Sequence, residues 1–125
     1  MERIDGEVVL ERPSVAEVEQ FFESADAGTR AVWLRLTRKG VEPASLTSDE
    51  LVDVGLCFGW ISAVRRAGDE ATYLQRYTRR RPRSKWSRLN IAEVEQLTKE
   101  GRMRPGGIAE VEAAKADGRW DNPWT

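Results

Sequence analysis

Trp60-Ile61-Ser62-Ala63-Val64-Arg65-Arg66-Ala67-Gly68-Asp69-Glu70-Ala71-Thr72-Tyr73-Leu74-Gln75-Arg76-Tyr77-Thr78-Arg79 is the stretch on which the reading of the fold turns. Trp60 to Arg66 and Ala71 to Arg79 read as two strands, and Ala67-Gly68-Asp69 between them has the residues of a hairpin turn. The second arm runs straight into a basic segment, Gln75 to Asn90, which carries Arg76, Arg79, Arg80, Arg81, Arg83, Lys85 and Arg88 and no carboxylate. The whole chain has net charge -1, so the rest of it carries -8 once those seven cations are set aside. Like charges this close repel one another unless something anionic, within the fold or from outside, offsets them. Tyr77 and Trp86 set flat apolar faces among the charges, and Pro82 stiffens the turn.

Outward toward the N-terminus, Ala31 to Thr37 alternates with period two, placing Val32, Leu34 and Leu36 on one face and Trp33, Arg35 and Thr37 on the other. This predicts a strand with one buried face. Before it, Ser14 and Glu17 form a capping box that starts a helix whose apolar stripe is Val15, Val18, Phe21 and Phe22. Glu7 to Leu10 is a short apolar piece with the look of an edge strand. After the turn residues Arg38 to Pro43, Thr47 and Glu50 form a second capping box. The helix they open runs from about Ser48 to Phe58, apolar around most of its circumference and stopped by Gly59, so it should be the buried helix.

Beyond the basic segment, Ser87 or Asn90 caps a third helix carrying Ile91, Val94 and Leu97, and Glu93, three residues after Asn90, favours the later cap. Pro105-Gly106-Gly107 precedes a fourth helix, which stops at Gly118 ahead of the tail Arg119-Trp120-Asp121-Asn122-Pro123-Trp124. The expected architecture is a single α+β domain over residues 1–125: a small antiparallel sheet of about three strands, including one hairpin, with about four helices packed against it.

A chain of 125 residues with 40% hydrophobic and 33% charged side chains has the composition of a soluble globular domain. No apolar run is long enough to span a bilayer and no signal-peptide pattern opens the chain, so a cytoplasmic location and no membrane partner are expected. With no histidine and one cysteine, Cys57, the chain can build no Ser-His-Asp triad, no Cys-His pair and no His-ligated metal. No cofactor or metal is expected. Cys57, between Leu56 and Phe58, reads as a small core residue rather than a reactive thiol.

Several segments together resemble the YdeI/OmpD-associated family, also called bacteriocin-protection proteins. They are Ser45-Leu46-Thr47, Leu56 to Ile61, Arg76 to Ser87, Glu100-Gly101-Arg102-Met103 and Gly118-Arg119-Trp120-Asp121. The resemblance covers nearly the whole chain. It departs from the family pattern at Ser62-Ala63, where Asp-Gly is usual, and at Arg79, where Pro is usual. The family name implies protection from peptide toxins or association with an outer-membrane porin, and the lack of an export signal argues against direct porin contact.

Three functions fit these residues. The first is a non-catalytic binder that holds an anionic or amphipathic small molecule or peptide in a cleft between the hairpin and the third helix. Trp60, Arg76, Tyr77, Arg79, Arg80, Arg81, Arg83, Lys85 and Trp86 would be its ligand-binding residues. The second is nucleic-acid binding, with the arginines on phosphates and Tyr77 or Trp86 stacking on bases, against which stands an overall pI of about 5.6. The third, an enzyme without histidine, ranks last, because the sequence shows neither paired carboxylates nor a phosphate loop. A structural alternative is that the arginines only pair with acidic residues of the first and fourth helices.

Overall fold

The computed structural model describes residues 2–124. Its elements follow in the order β1 (Arg3–Ile4), β2 (Glu7–Glu11), α1 (Val15–Ser24), β3 (Ala31–Thr37), α2 (Ser48–Phe58), β4 (Trp60–Ala67), β5 (Thr72–Arg79), α3 (Arg88–Lys99) and α4 (Pro105–Ala116). Both capping boxes form as the sequence predicts: the Ser14 hydroxyl accepts from the Glu17 amide, and Thr47 accepts from Glu50. Gly59 ends α2 in the left-handed region at φ 84°, which a residue without a Cβ reaches at no steric cost.

The sheet is larger than expected, with five strands in the order β1-β2-β3-β5-β4, and it is mixed rather than antiparallel. Glu7 to Leu10 forms a strand as the sequence reads, β2, but between β1 and β3 rather than at the edge of the sheet, and β1 is the strand without a counterpart in the sequence reading. Val9, Leu10 and Glu11 pair in parallel with Trp33, Leu34 and Arg35 across the α1 crossover, and β1 folds back antiparallel on β2. Strand β3 thereby becomes an interior strand. A parallel pairing reached through a helix leaves no local signature, so the strand over Glu7 to Leu10 is legible in the sequence and its partner is not.

Val32, Leu34 and Leu36, none of them exposed, meet the helices on one face, together with Tyr77 from β5. Helix α2 lies at the middle of this layer, touching α1, α3, α4 and β4, and six of its eleven residues are buried. The opposite face of β3 is covered as well, contrary to the one-sided expectation. Trp33 is 1% exposed and packs with Val9, Leu74 and Ile4, under the guanidinium of Arg66 at 4.7 Å. Arg76 reaches across this face to Glu7, with two hydrogen bonds of 2.9 and 2.7 Å. Strand β4 lies at one edge of the sheet, opposite the short β1. Its exposed run, with Arg65, Arg66 and a register shift between Ser62 and Arg65, discourages pairing with another chain.

The start of α4 is pressed against the end of α2. The Arg104 amide donates to the Cys57 carbonyl at 3.0 Å, and the positive end of α4 meets the terminal carbonyls of α2, a favourable alignment of the two dipoles. Glycine permits this approach: a Cβ on Gly106 would lie 2.7 Å from the Phe58 carbonyl, and one on Gly107 would run into the carbonyls of Leu56 and Cys57.

Candidate functional site

Successive residues leave an extended strand on opposite sides, so the end of β5 sends its arginines to different destinations. Arg79 turns toward α1. Its Nε donates to the Thr29 carbonyl at 2.9 Å and its Nη2 to the carbonyls of Ala25 at 3.2 Å and Asp26 at 2.8 Å, while the guanidinium covers the Trp60 ring at 4.8 Å. The cation therefore caps the carbonyls that follow α1. Arg76, on the other face of the sheet, is held by Glu7. Arginine 79 is thus bound internally by backbone carbonyls, and Arg76 by a carboxylate of β2.

Trp60 and Tyr77 are core residues, 1% and 2% exposed. Trp60 stacks on Phe22 with centroids 4.7 Å apart. Tyr77 lies against Gly55 of α2, where a Cβ would come within 2.9 Å of its ring, and burial pushes its hydroxyl pKa well above the usual tyrosine value.

Arg80 turns the other way and is buried, with 4% exposure. Its amide donates to the Gly59 carbonyl at 2.9 Å, and its Nη1 reaches the Lys85 carbonyl at 3.4 Å. The guanidinium carbon lies 3.7 Å from the centroid of Trp86. Its Nε and Nη2 are buried without a hydrogen-bond partner. Loss of hydration lowers the Arg80 pKa to about 10, with Glu110 acting in the opposite sense and Arg119 in the same one. Burial also raises the pKa of Glu110.

Arg81, Arg83 and Lys85 are exposed and sit on a tight turn. The Arg81 amide donates to the Ser84 hydroxyl at 2.9 Å and the Ser84 amide to the Arg81 carbonyl at 3.0 Å, with Arg83 in the left-handed region at φ 68°. The C-terminal segment folds onto this turn. Arg119 donates from Nη1 to the Ser84 carbonyl at 2.7 Å and pairs through Nε with Asp117 at 2.8 Å. Trp120 meets Trp86 edge-on at 5.1 Å, and the Trp124 amide donates to the Trp86 carbonyl at 3.2 Å.

The nine predicted residues do not share one cleft. Arg83, Lys85 and Trp86 border a cavity of about 560 Å³ together with Asp117, Arg119, Asn122 and Trp124. Trp60, Tyr77 and Arg80 line a separate cavity of about 150 Å³ between the hairpin, α2 and Asn90 of α3. Trp60 and Trp86 face different spaces, Arg76 lies across the sheet, and Arg79 is bound to the loop after α1. The sequence reading left the tail residues Arg119, Asn122 and Trp124 out of the site, although Trp124 is among the tryptophans that could line a pocket. Their signal was present, in two tryptophans and an arginine crowded beyond the Gly118 stop. It also missed a depression of about 870 Å³, roomier than either of these cavities, between the loop from Thr37 to Asp49 and the hairpin residues Arg65, Arg66 and Tyr73. Its lining mixes both signs of charge, with Arg38 and Lys39 beside Glu42 and Asp49, and Arg65 and Arg66 there already cover Tyr73 and Trp33.

Among the described residues no group of three or more histidine, cysteine, aspartate or glutamate side chains could hold a metal ion. No described helix is long and apolar enough to cross a membrane. The family model of a domain of unknown function (DUF8412) matches residues 10–110. No curated protein and no solved structure is detectably similar to the chain.

Proposed function

The chain belongs to that DUF8412 family, and from this premise we propose that it is a non-catalytic binding protein for a small anionic molecule bearing a flat apolar group. The ligand sits in the cleft between the basic turn and the C-terminal segment. One observation carries this reading. Arg83, Lys85, Arg119 and the two indoles of Trp86 and Trp124 border a single space of about 560 Å³, and Asp117, the carboxylate in that lining among the described residues, already pairs with Arg119. That volume falls within the range of about 300–1,000 Å³ usual for small-molecule sites. The cations supply charge-assisted hydrogen bonds, and Trp124, 62% exposed, supplies a free face for stacking. The resemblance to bacteriocin-protection proteins supports a role in resistance, by sequestering an anionic or amphipathic toxic compound or peptide.

The test is titration of the protein with an anionic aromatic probe, 8-anilinonaphthalene-1-sulfonate, followed by indole quenching. Trp124→Ala is expected to weaken binding at least tenfold and Arg83→Ala about threefold, with both variants fully folded. Binding unchanged in both variants would dismiss the cleft.

A second reading, single-stranded nucleic acid, draws on one different observation: Arg81, Arg83, Lys85 and Arg88 are all exposed around the same turn. Phosphate contacts would give a log–log salt slope of about -0.7 per contact on a single strand. The small-ligand reading requires a shallow salt dependence and complete reliance on the ring of Trp124. The acidic remainder of the chain favours the small ligand, because it repels a long polyanion beyond the patch.

A further inference from the structure

The cavity of about 150 Å³ lies apart from the outer cleft and has a composition of its own. Its polar lining is Ser62, Tyr77, Arg80 and Asn90, which bring two hydroxyls, a guanidinium and an amide, and none of its lining residues is a carboxylate. Arg80 spends Nη1 on the Lys85 carbonyl. Nε and Nη2 are left, buried and unpartnered, and these two N–H groups form the edge of the guanidinium that grips two oxygens side by side. A buried cation without a partner is costly, and native folds pair such groups. The carboxylate whose charge is felt most at Arg80 is that of Glu110, yet the two make no ion pair within 4.0 Å, and at Glu110 burial, which raises the pKa, outweighs the lowering by Arg80 and Arg119.

We infer that this cavity binds a small tetrahedral oxyanion of the phosphate or sulfate kind, gripped by the free edge of Arg80 and solvated by Ser62, Tyr77 and Asn90. The space is below the range for drug-sized ligands, about 300 Å³ and upward, and suits a compact anion. Asn90 stands in the first turn of α3, whose N-terminal dipole adds attraction for negative charge. An anion here would join the hairpin, α2 and α3, and would leave the outer cleft free for its own ligand.

The experiment is thermal unfolding of the whole chain in inorganic phosphate against sodium chloride of equal ionic strength. Phosphate is expected to raise the wild-type Tm by about 5 °C or more near saturation. Asn90→Asp, which sets a carboxylate on the cavity wall while keeping a helix-compatible residue in the first turn, is expected to fold and to lose the phosphate response. Trp124→Ala is expected to keep it. The inference is overturned if phosphate does no more than chloride, or if Asn90→Asp responds like wild type. It also falls if Trp124→Ala loses the shift, which would place the anion in the outer cleft. Marked destabilisation by Glu110→Gln in chloride, with no phosphate response in wild type, would show instead that Glu110 is the internal partner of Arg80.

Discussion

The guanidinium carbon of Arg80 lies 3.7 Å from the ring centroid of Trp86, with both side chains almost wholly buried. One residue earlier, Arg79 covers Trp60 at 4.8 Å. Two consecutive arginines thus clamp two tryptophans on opposite sides of the strand end. This arrangement splits the cations of the basic segment into an inward-held set, Arg76, Arg79 and Arg80, and an exposed set, Arg81, Arg83, Lys85 and Arg88.

The first prediction concerns the cost of burying Arg80. Its pKa is lowered by burial from the ordinary arginine value to about 10, so the folded protein releases this proton before the unfolded chain does. Between about pH 10 and the ordinary arginine pKa the unfolded state binds more protons, and stability attributable to this group rises with pH there. Below that window the charge is a constant cost. Arg80→Met should therefore be more stable than wild type at pH 7 in phosphate-free buffer, by about 1–3 kcal/mol, with the gap closing above pH 10. Urea unfolding at pH 7 and pH 11 measures it, and a variant less stable than wild type at pH 7 contradicts the cost.

Cys57 is 2% exposed on α2, and burial raises its thiol pKa to about 11. A thiol reagent at pH 8 is expected to label the native protein about a hundredfold more slowly than the unfolded chain. Cys57→Ser should cost roughly 1–3 kcal/mol, because the hydroxyl gains no partner in this core. Rapid native labelling would mean that the helix layer opens far more readily than its packing implies.

Gly107 is set by the contact between α4 and α2. Its Cβ would collide with the carbonyls of Leu56 and Cys57, backbone atoms that cannot swing aside. Gly107→Ala is expected to destabilise the fold by about 2–3 kcal/mol, although alanine is the better helix former by about 1 kcal/mol. Chemical denaturation decides the sign: an alanine variant as stable as wild type would show that the two helices separate without penalty.

Asp53 of α2 has its pKa raised, first by burial and then by the charge of Glu93 on α3. A raised carboxylate pKa means that the protonated form is favoured in the fold. The stability this contributes is present below the ordinary value of 3.8 and is lost as pH rises through the folded pKa. Asp53→Asn should accordingly stabilise the protein at pH 7, by roughly a few tenths of a kcal/mol given the group's partial exposure, and confer nothing at pH 3.5. Unfolding curves at the two pH values test it, and a gain of equal size at both would exclude the Glu93 repulsion as its source.

Much of the local structure is written within a few residues. Ser14 with Glu17 and Thr47 with Glu50 announce two helix starts because a capping box is made by groups three positions apart. Gly59 announces a stop because only the left-handed region serves there, and the alternation from Ala31 to Thr37 announces β3. The burial of Cys57 followed from its apolar neighbours on a helix that is apolar all round. Even at this range a competing choice was open: Ser87, not Asn90, caps α3, its hydroxyl accepting the Asn90 amide at 3.1 Å.

Tertiary structure decided the rest, because charge and periodicity name a residue's chemistry and leave its partner open. The parallel pairing of Val9 with Trp33 crosses a helix, and the cover over Trp33 comes from Arg66 of a different strand. The seven cations of one segment looked alike in the chain. Strand alternation and the folding back of the tail then sent Arg76 to Glu7, Arg79 to the carbonyls after α1 and Arg80 into the interior, and left Arg83 and Lys85 facing Arg119 and Trp124 across a cleft. Identical side chains acquire different roles when the free energy of long-range packing, absent from any short window of sequence, settles which of them lose their water.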